Sequence, residues 1–271
     1  MRRMTIAIGL KAADGIVVAA DRQESDSYQK TSVGKVTAHF KRSPLGSLII
    51  SGAGTASYID SISQRVGNWF RADKETQEQT AVGEQIEKMH RKFYSASVLP
   101  FGAYPAEERP DYSLLVGCSM RGQWPIFWTT EKMAFSDDDP FVAIGIGQTT
   151  AKALLAKYYA RIPVLMAINL AAYVMYEVKN SVEYCGLGTD MFYTVNDVPF
   201  PVPPDEIRAM ENAFRGFRAS EREHLHYCIG SDLTTDMRPL DKDKRQRSAL
   251  RRWFGRLNRK RAERSATPSA S

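Results

Sequence analysis

Three side chains near the start of the sequence could together perform nucleophilic chemistry. Thr5 supplies a hydroxyl, Asp21 follows it by sixteen positions with a carboxylate, and Lys35 adds an amine. A threonine that is the first residue of a mature chain can act as a nucleophile while its own α-amine serves as the base. A lysine ammonium beside the hydroxyl lowers its pKa, and a carboxylate holds that ammonium in place. The pattern indicates a nucleophilic site, provided that Thr5 becomes the N-terminal residue.

These three residues lie at the ends of short predicted strands or within them. The Asp14-Gly15 pair is typical of a hairpin turn, so the apolar runs on either side of it should pair. The predicted segments in this region are strands 5–10 and 16–20, a polar loop over 23–31, and a strand over 33–40 that contains Lys35. The hydroxyl, the carboxylate and the amine are therefore expected on neighbouring strands.

The rest of the chain alternates between strand and helix patterns. Apolar residues recur at three and four positions in the helical segments, whereas the strands are short apolar runs bounded by turns. Further strands are predicted over 47–51, 112–118, 124–130, 141–145 and 191–195, and helices over 58–70, 82–93, 149–159, 164–179 and 204–228. This order of strands, two helices, strands and two more helices indicates an α+β protein.

Composition excludes several classes of protein. The chain has 271 residues with 43% hydrophobic and 25% charged residues, and no apolar run is long enough to span a membrane. We expect no secretory signal, because no apolar region of the required length follows the charged start before Lys11. The cysteines are odd in number and show no paired spacing, which favours a reducing cytoplasm; they are Cys118, Cys185 and Cys228. His224, His226 and Cys228 would not share one helix face, so we expect no metal site.

The basic character of the chain belongs to its C-terminal part. Residues 241–264 hold eleven Lys and Arg against three acids, a net charge of +8, which leaves −2 for the rest of a chain whose total is +6. Leu250, Trp253, Phe254 and Leu257 recur at helical spacing among the arginines. This segment is expected to be either an amphipathic basic helix that binds a polyanion or an acidic partner, or a partly disordered solvated tail.

The first 54 residues resemble proteasome β-subunits and their bacterial relatives, which are N-terminal-nucleophile hydrolases. The resemblance lies in T-I-A-I-G-L-K-x-x-D-G-I-V-V-A-A-D-R from Thr5, V-G-K-V at 33–36 and S-G-A-G at 51–54, with a looser likeness in A-I-G-I-G-Q at 143–148. It implies a four-layer αββα sandwich and a threonine peptidase with Thr5 as nucleophile and Lys35 and Asp21 as its partners. Gly52 would stabilise the oxyanion through its backbone N–H.

The same resemblance implies a peptide or protein substrate, a homo-oligomeric ring and no cofactor. It leaves open whether an ATP-dependent unfoldase is a partner. Residues 1–4 are expected to be a leader, or an alternative start at Met4, that is removed to free Thr5. Residues 5–230 would form the hydrolase-like domain, and residues 231–271 the basic tail.

Two departures from the family pattern leave alternatives open. Ile146 stands where active members carry a serine, with Gln148 as a partial substitute, and the family's later Asp and Ser could correspond to Ser181, Glu183 or Asp190. An inactive assembly subunit is therefore an alternative to a peptidase. A module tethered to nucleic acid or membrane by its basic tail is a third interpretation.

Overall fold

The computed structural model describes residues 5–25, 30–42, 45–76, 78–105, 110–130, 134–137 and 139–230. The strands in this part of the chain are β1 (Ile6–Lys11), β2 (Ile16–Asp21), β3 (Gln23–Ser25), β4 (Lys30–Ser32), β5 (Val36–Arg42), β6 (Leu45–Gly54), β7 (Tyr112–Met120), β8 (Ile126–Thr130), β9 (Ala134–Asp137), β10 (Phe141–Gly145), β11 (Thr189–Val195) and β12 (Val198–Pro201). The helices are α1 (Ala56–Ala72), α2 (Gln79–Ser97), α3 (Gln148–Tyr158), α4 (Val164–Ser181) and α5 (Pro204–Gly230), with a short 3-10 helix at Leu99–Phe101.

The first sheet has the order β10-β1-β2-β11-β12 and is antiparallel throughout. Strands β1 and β2 form the predicted hairpin, in which the Ala12 amide donates to the Gly15 carbonyl at 2.8 Å. Strand β11 pairs with the other side of β2 and places Thr189 opposite Asp21. The beginning of β1, the end of β2 and the beginning of β11 therefore meet at one end of this sheet.

The second sheet has the order β5-β6-β7-β8-β9 and is also antiparallel. Its β5–β6 ladder ends where Val36 pairs with Ser51, so Lys35 lies just before β5 and not within it. Strands β3 and β4 form a separate two-stranded sheet across part of the predicted polar loop. Polar composition alone does not separate a loop from an exposed hairpin, which explains the hairpin within the predicted loop. Lys35 lies outside β5 because side chains bind its backbone amide and carbonyl.

Two helices cover the outer face of each sheet. Helices α1 and α2 pack on the second sheet through apolar residues at helical spacing, among them Ile62, Val66 and Phe70 of α1. Helix α4 packs on β1, β2 and β11, while α3 packs on β10 and β1. The amphipathic spacing read from the sequence thus gives the two outer layers.

The two sheets pack face to face through their inner apolar side chains. This inner core includes Ile16 and Val18 of β2 and Ile49 of β6. A Cβ at Gly9 of β1 would lie 2.6 Å from the Phe127 ring, and one at Gly117 of β7 would lie 2.8 Å from it. The described residues therefore form the expected α+β fold, a four-layer αββα sandwich.

The described residues divide into two units, with the boundary between Pro204 and Asp205. Helix α5 begins at this boundary, and its first turn carries Asp205 and Glu206, which interact favourably with the helix dipole. None of the described helices has the length and the hydropathy that a membrane span requires. The predicted leader at residues 1–4 and the predicted tail at 231–271 lie outside the described residues.

Candidate active site

Thr5 lies directly before β1, at the end of the first sheet where β2 finishes. The register that pairs Ala7 with Ala20 brings Thr5 beside Asp21, and Thr5 is only 5% exposed. The turn that fixes this register has Ala13 and Asp14 at its tip, between the hydrogen-bonded Ala12 and Gly15, and not the predicted Asp14-Gly15 pair. A sixteen-residue separation in sequence thus becomes proximity in space.

Lys35 connects the three side chains that the sequence singled out. Its Nζ donates to Thr5 Oγ1 at 2.5 Å and to Asp21 Oδ1 at 3.3 Å. It also donates to the backbone carbonyl of Gln23. The side chains of Lys35 and Asp21 are 14% and 0% exposed, so this ion pair is shielded from solvent. The arrangement places a positive charge directly against the threonine hydroxyl.

Asp21 is anchored by backbone amides from three parts of the chain. Its Oδ1 accepts from the Ile6 amide at 3.1 Å, and its Oδ2 accepts from Gln23 at 3.3 Å and Gly186 at 3.1 Å. Burial raises the pKa of Asp21 above its ordinary value, while the charge of Lys35 and the amides of Ile6 and Gly186 oppose that rise. These bonds leave the carboxylate little freedom to move away from Lys35.

Asp190 holds the backbone of Lys35. Asp190 Oδ2 accepts the Lys35 amide at 2.8 Å, and Asp190 Oδ1 forms an ion pair with Arg22 Nη1 at 3.1 Å. The carbonyl of Lys35 accepts from Ser51 Oγ at 3.0 Å. The backbone donor and the backbone acceptor of Lys35 are therefore each bound by a side chain.

The turn after β10 approaches the backbone of Thr5. The Ile146 amide donates to the Thr5 carbonyl at 2.9 Å. Gly145 has a φ of +93°, and a Cβ there would overlap that same carbonyl oxygen. Ile146 takes part through its main chain, and its side chain carries no hydroxyl with which to move a proton.

A cavity of about 570 Å³ opens beside Thr5. It lies among the beginning of β5, the end of β6 and the first turns of α1, and Gly52 is part of its wall. A Cβ at Gly52 would lie 2.5 Å from the Ile59 side chain, so glycine lets the backbone of β6 approach α1 closely. The residues around the cavity include Thr5, Lys35, Thr37, His39, Ile50, Gly52, Ile59, Asp60 and Ser63.

His39 forms part of this cavity wall and is 8% exposed. Neither ring nitrogen has a hydrogen-bond partner among the described residues, and a Cβ at Gly67 of α1 would overlap the ring. Burial, and secondarily the charge of Arg71, lowers the pKa of His39 to about 4. The imidazole is therefore neutral near pH 7.

The structure brings together the four residues that the sequence nominated as catalytic. Thr5, Asp21 and Lys35 are in hydrogen-bond contact through Lys35, and Gly52 lies on the wall of the adjoining cavity. Among the three alternatives for the later acid and hydroxyl, Asp190 reaches this group. Ser181 is exposed and donates to the Glu177 carbonyl, and Glu183 is exposed in the turn after α4. Gln148 is exposed at the start of α3.

Several residues of the site were missed by sequence reasoning. Gln23 and Gly186 act through main-chain atoms, which leave no side-chain signature in a sequence. Ile146 was named for its missing hydroxyl, and its main-chain bond to Thr5 was not foreseen. Gly145 did carry a signal, because a glycine between a strand and a helix marks a special backbone conformation. His39 gave none, because a histidine within a strand is not by itself a pattern.

Another nucleophile close to the site is the thiol of Cys185, in the turn that delivers Gly186. Burial raises the pKa of Cys185 to about 12, the charge of Asp21 adds to this rise, and Lys35 opposes it. A protonated buried thiol is a poor nucleophile. The described residues contain no group of three or more His, Cys, Asp or Glu side chains placed to hold a metal ion.

Comparison with solved structures gives the same fold. The Anbu complex from Pseudomonas aeruginosa, described as a helical assembly, is 17% identical with a TM-score of 0.66, covering 82% of this chain and 95% of that one. Anbu (ancestral beta-subunit) from Yersinia bercovieri is 12% identical with a TM-score of 0.65, covering 86% and 100%. Anbu from Hyphomicrobium sp. strain MC1 is 14% identical with a TM-score of 0.62, again covering 86% and 100%.

The sequence comparisons identify the family. No curated protein matches the chain. The model of the proteasome subunit family matches residues 1–193, which span both sheets up to β11 and include every residue of the candidate site. The chain therefore belongs to the proteasome subunit family.

Proposed function

We propose that the protein is a threonine-type peptidase that cleaves amide bonds with Thr5 as its nucleophile. The observation that carries this proposal is the position of Lys35 Nζ, which contacts both Thr5 Oγ1 and Asp21 Oδ1. An ammonium at this position favours the alkoxide form of the hydroxyl over the neutral form. Asp21 balances the charge of Lys35, so the buried ammonium does not stand alone.

The reaction uses groups that belong to this chain. Thr5 Oγ attacks the carbonyl carbon of the peptide bond, and its proton passes to the free α-amine of Thr5, through a water molecule. The backbone N–H of Gly52 donates to the oxyanion that develops on the carbonyl. The amine product leaves with the proton, and water then hydrolyses the acyl-enzyme ester to release the acid and regenerate the hydroxyl.

This mechanism requires that Thr5 be the first residue of the active protein. Met1–Met4 must be removed, because only then is the α-nitrogen of Thr5 a free amine. Initiation at Met4 followed by removal of that methionine would satisfy the requirement. Intact-mass measurement and N-terminal sequencing of the purified protein should both show a chain that begins at Thr5.

Covalent labelling tests the nucleophile directly. A peptide epoxyketone reacts with both the hydroxyl and the free amine of an N-terminal threonine, and a β-lactone needs only the hydroxyl. We expect both probes to modify the wild-type protein at Thr5, and Thr5→Ala to lose labelling and hydrolysis while it remains folded. Lys35→Ala should lower both rates by several orders of magnitude, as loss of nucleophile activation does. Labelling of Thr5→Ala at the wild-type rate would refute the proposal.

A second candidate function is that of an inactive assembly subunit. Ile146 favours it, because its amide binds the Thr5 carbonyl at the position where active family members carry a serine, and an isoleucine has no hydroxyl to relay a proton. We infer that the chain forms a homo-oligomer in either case, on the strength of its family and of the helical assembly described for the Pseudomonas aeruginosa complex. Absence of probe labelling in a chain that begins at Thr5 would favour this second function.

A further inference from the structure

The backbone of Lys35 lies just before strand β5 of the second sheet, whereas its side chain contacts Thr5 and Asp21 at the end of the first sheet. Strand β5 begins at Val36, and the last pair of the β5–β6 ladder is Val36 with Ser51. The amide and the carbonyl of Lys35 instead bind Asp190 Oδ2 at 2.8 Å and Ser51 Oγ at 3.0 Å. Two side chains therefore fix the point from which the Lys35 side chain extends towards Thr5.

The carboxylate of Asp190 contacts both the Lys35 backbone and the Arg22 side chain. It lies on β11 opposite Ala20 of β2, and its side chain is 15% exposed. One carboxylate oxygen accepts a hydrogen bond from the Lys35 amide, and the other forms an ion pair with Arg22 Nη1 at 3.1 Å. A Cβ at Gly34 would lie 3.3 Å from Asp190 Oδ2, so glycine allows the close approach of the carboxylate.

Arg22 also binds the residues that precede Lys35. Its carbonyl accepts from the Val33 amide at 2.9 Å, and its Nε donates to Ser32 Oγ at 3.2 Å. The Arg22 amide in turn donates to the Gly188 carbonyl at 3.2 Å, close to the start of β11. Asp190 and Arg22 thus join the ends of β2 and β11 to the segment that carries Lys35.

We propose that Asp190, oriented by Arg22, is a positioning residue that aligns Lys35 Nζ with Thr5 Oγ1 through the backbone N–H of Lys35. Asp190 is not among the residues that surround the cavity, so it acts through Lys35 and not by direct contact with a substrate bound there. The catalytic consequence rests on the proposed function, whereas the placement of Lys35 does not. A displacement of about 1 Å at a reacting group lowers rates by roughly a hundredfold.

The experiment compares Asp190→Ala, Asp190→Asn and Arg22→Ala with the wild-type chain. Asparagine retains an oxygen that accepts the Lys35 amide but loses the ion pair with Arg22. Glu183→Ala is the matched control, since Glu183 is an exposed carboxylate in the turn before β11. The first measurement is the rate and final stoichiometry of β-lactone labelling at Thr5 across pH, with urea midpoints recorded in parallel.

We expect Asp190→Ala to label about tenfold to a hundredfold more slowly, with its pH profile displaced, but still to reach one label per chain. Asp190→Asn should recover most of the rate, Arg22→Ala should lie between them, and Glu183→Ala should match wild type. A general loss of folded protein would instead give incomplete labelling at the wild-type rate. Such incomplete labelling, or equal rates for Asp190→Ala and wild type, would overturn the proposal.

A second measurement does not depend on activity. Trace acetylation with acetic anhydride, read by peptide mass spectrometry, reports how firmly the Lys35 amine is held, with exposed Lys92 as the internal reference. Asp190→Ala should raise Lys35 acetylation severalfold relative to Lys92. If wild type takes no label but this rise occurs, the peptidase proposal fails and the positioning role stands. If Asp190→Ala shows the same Lys35 acetylation and the same labelling rate as wild type, the peptidase proposal stands and the positioning role of Asp190 is refuted.

Discussion

At the scale of single residues, His39 differs from Thr5, Asp21 and Lys35, whose side chains are joined by hydrogen bonds. It is buried at the cavity wall, and neither of its nitrogens is bonded within the described chain. Protonation would place a charge there without solvation, which is why burial lowers the pKa of His39 to about 4. This residue should therefore make the stability of the protein sensitive to acid.

The sign of this effect follows from proton linkage. Between pH 6.5 and about 4 an unfolded chain binds a proton at His39 that the folded chain does not, so the free energy of unfolding falls as the pH falls. The loss should approach roughly 3 kcal/mol at the acid end of this window. His39→Gln removes the titration, and urea unfolding from pH 4.5 to 7.5 should show a flatter pH dependence for that variant. Parallel curves for the two proteins would contradict the assignment.

At the scale of elements, the packing of the two sheets depends on glycines that face one aromatic ring. Phe127 of β8 fills the space that side chains at Gly9 and Gly117 would otherwise occupy. Protein interiors are packed too closely to accept an added methyl group without movement of their neighbours. These two glycines therefore determine how closely β1 and β7 approach Phe127.

Gly9→Ala should consequently destabilise the protein by about 1–3 kcal/mol. The matched control is Gly216→Ala in α5, where an added Cβ meets nothing within 4 Å and where alanine favours the helix. That control should be neutral or stabilising by about 0.5–1 kcal/mol. Urea unfolding of both variants distinguishes the two effects. Equal stability of Gly9→Ala and wild type would show that the Phe127 ring moves aside without a cost in free energy.

At the scale of the whole molecule, charge is divided unequally along the chain. Residues 241–264 carry a net charge of +8 within a total of +6. The sandwich and its site are built from residues that precede this segment. The basic segment is thus not needed for any contact described in the site, and its proposed role is to bind an acidic or polyanionic partner.

Truncation before Asp241 should therefore leave the thermal midpoint and the rate of peptide hydrolysis unchanged. Binding to RNA or to anionic vesicles should be lost, and the binding of the full-length chain should weaken steeply as salt rises, because counterions compete for the same phosphates. The comparison uses full-length and truncated chains at low and high salt. A large fall in thermal midpoint, or equal binding by the two chains, would remove the tethering role.

The sequence by itself determined the local elements and the hairpin that joins them. An apolar run, a two-residue turn and a second apolar run specify a register, and that register brings Thr5 beside Asp21. The helical spacing of Ile62, Val66 and Phe70 likewise predicted the covered face of α1. These features depend on residues close in sequence, whose periodicity is visible without a structure.

Only the tertiary structure decided which distant groups complete the site. Asp190 reaches the Lys35 amide across 155 positions, and the Gly186 amide reaches Asp21 across 165. Ser181, Glu183 and Asp190 were equivalent from sequence, and the pairing of β11 with β2 selected Asp190. Such contacts depend on the packing of whole sheets and partly on main-chain atoms common to every residue, so no local pattern of side chains encodes them.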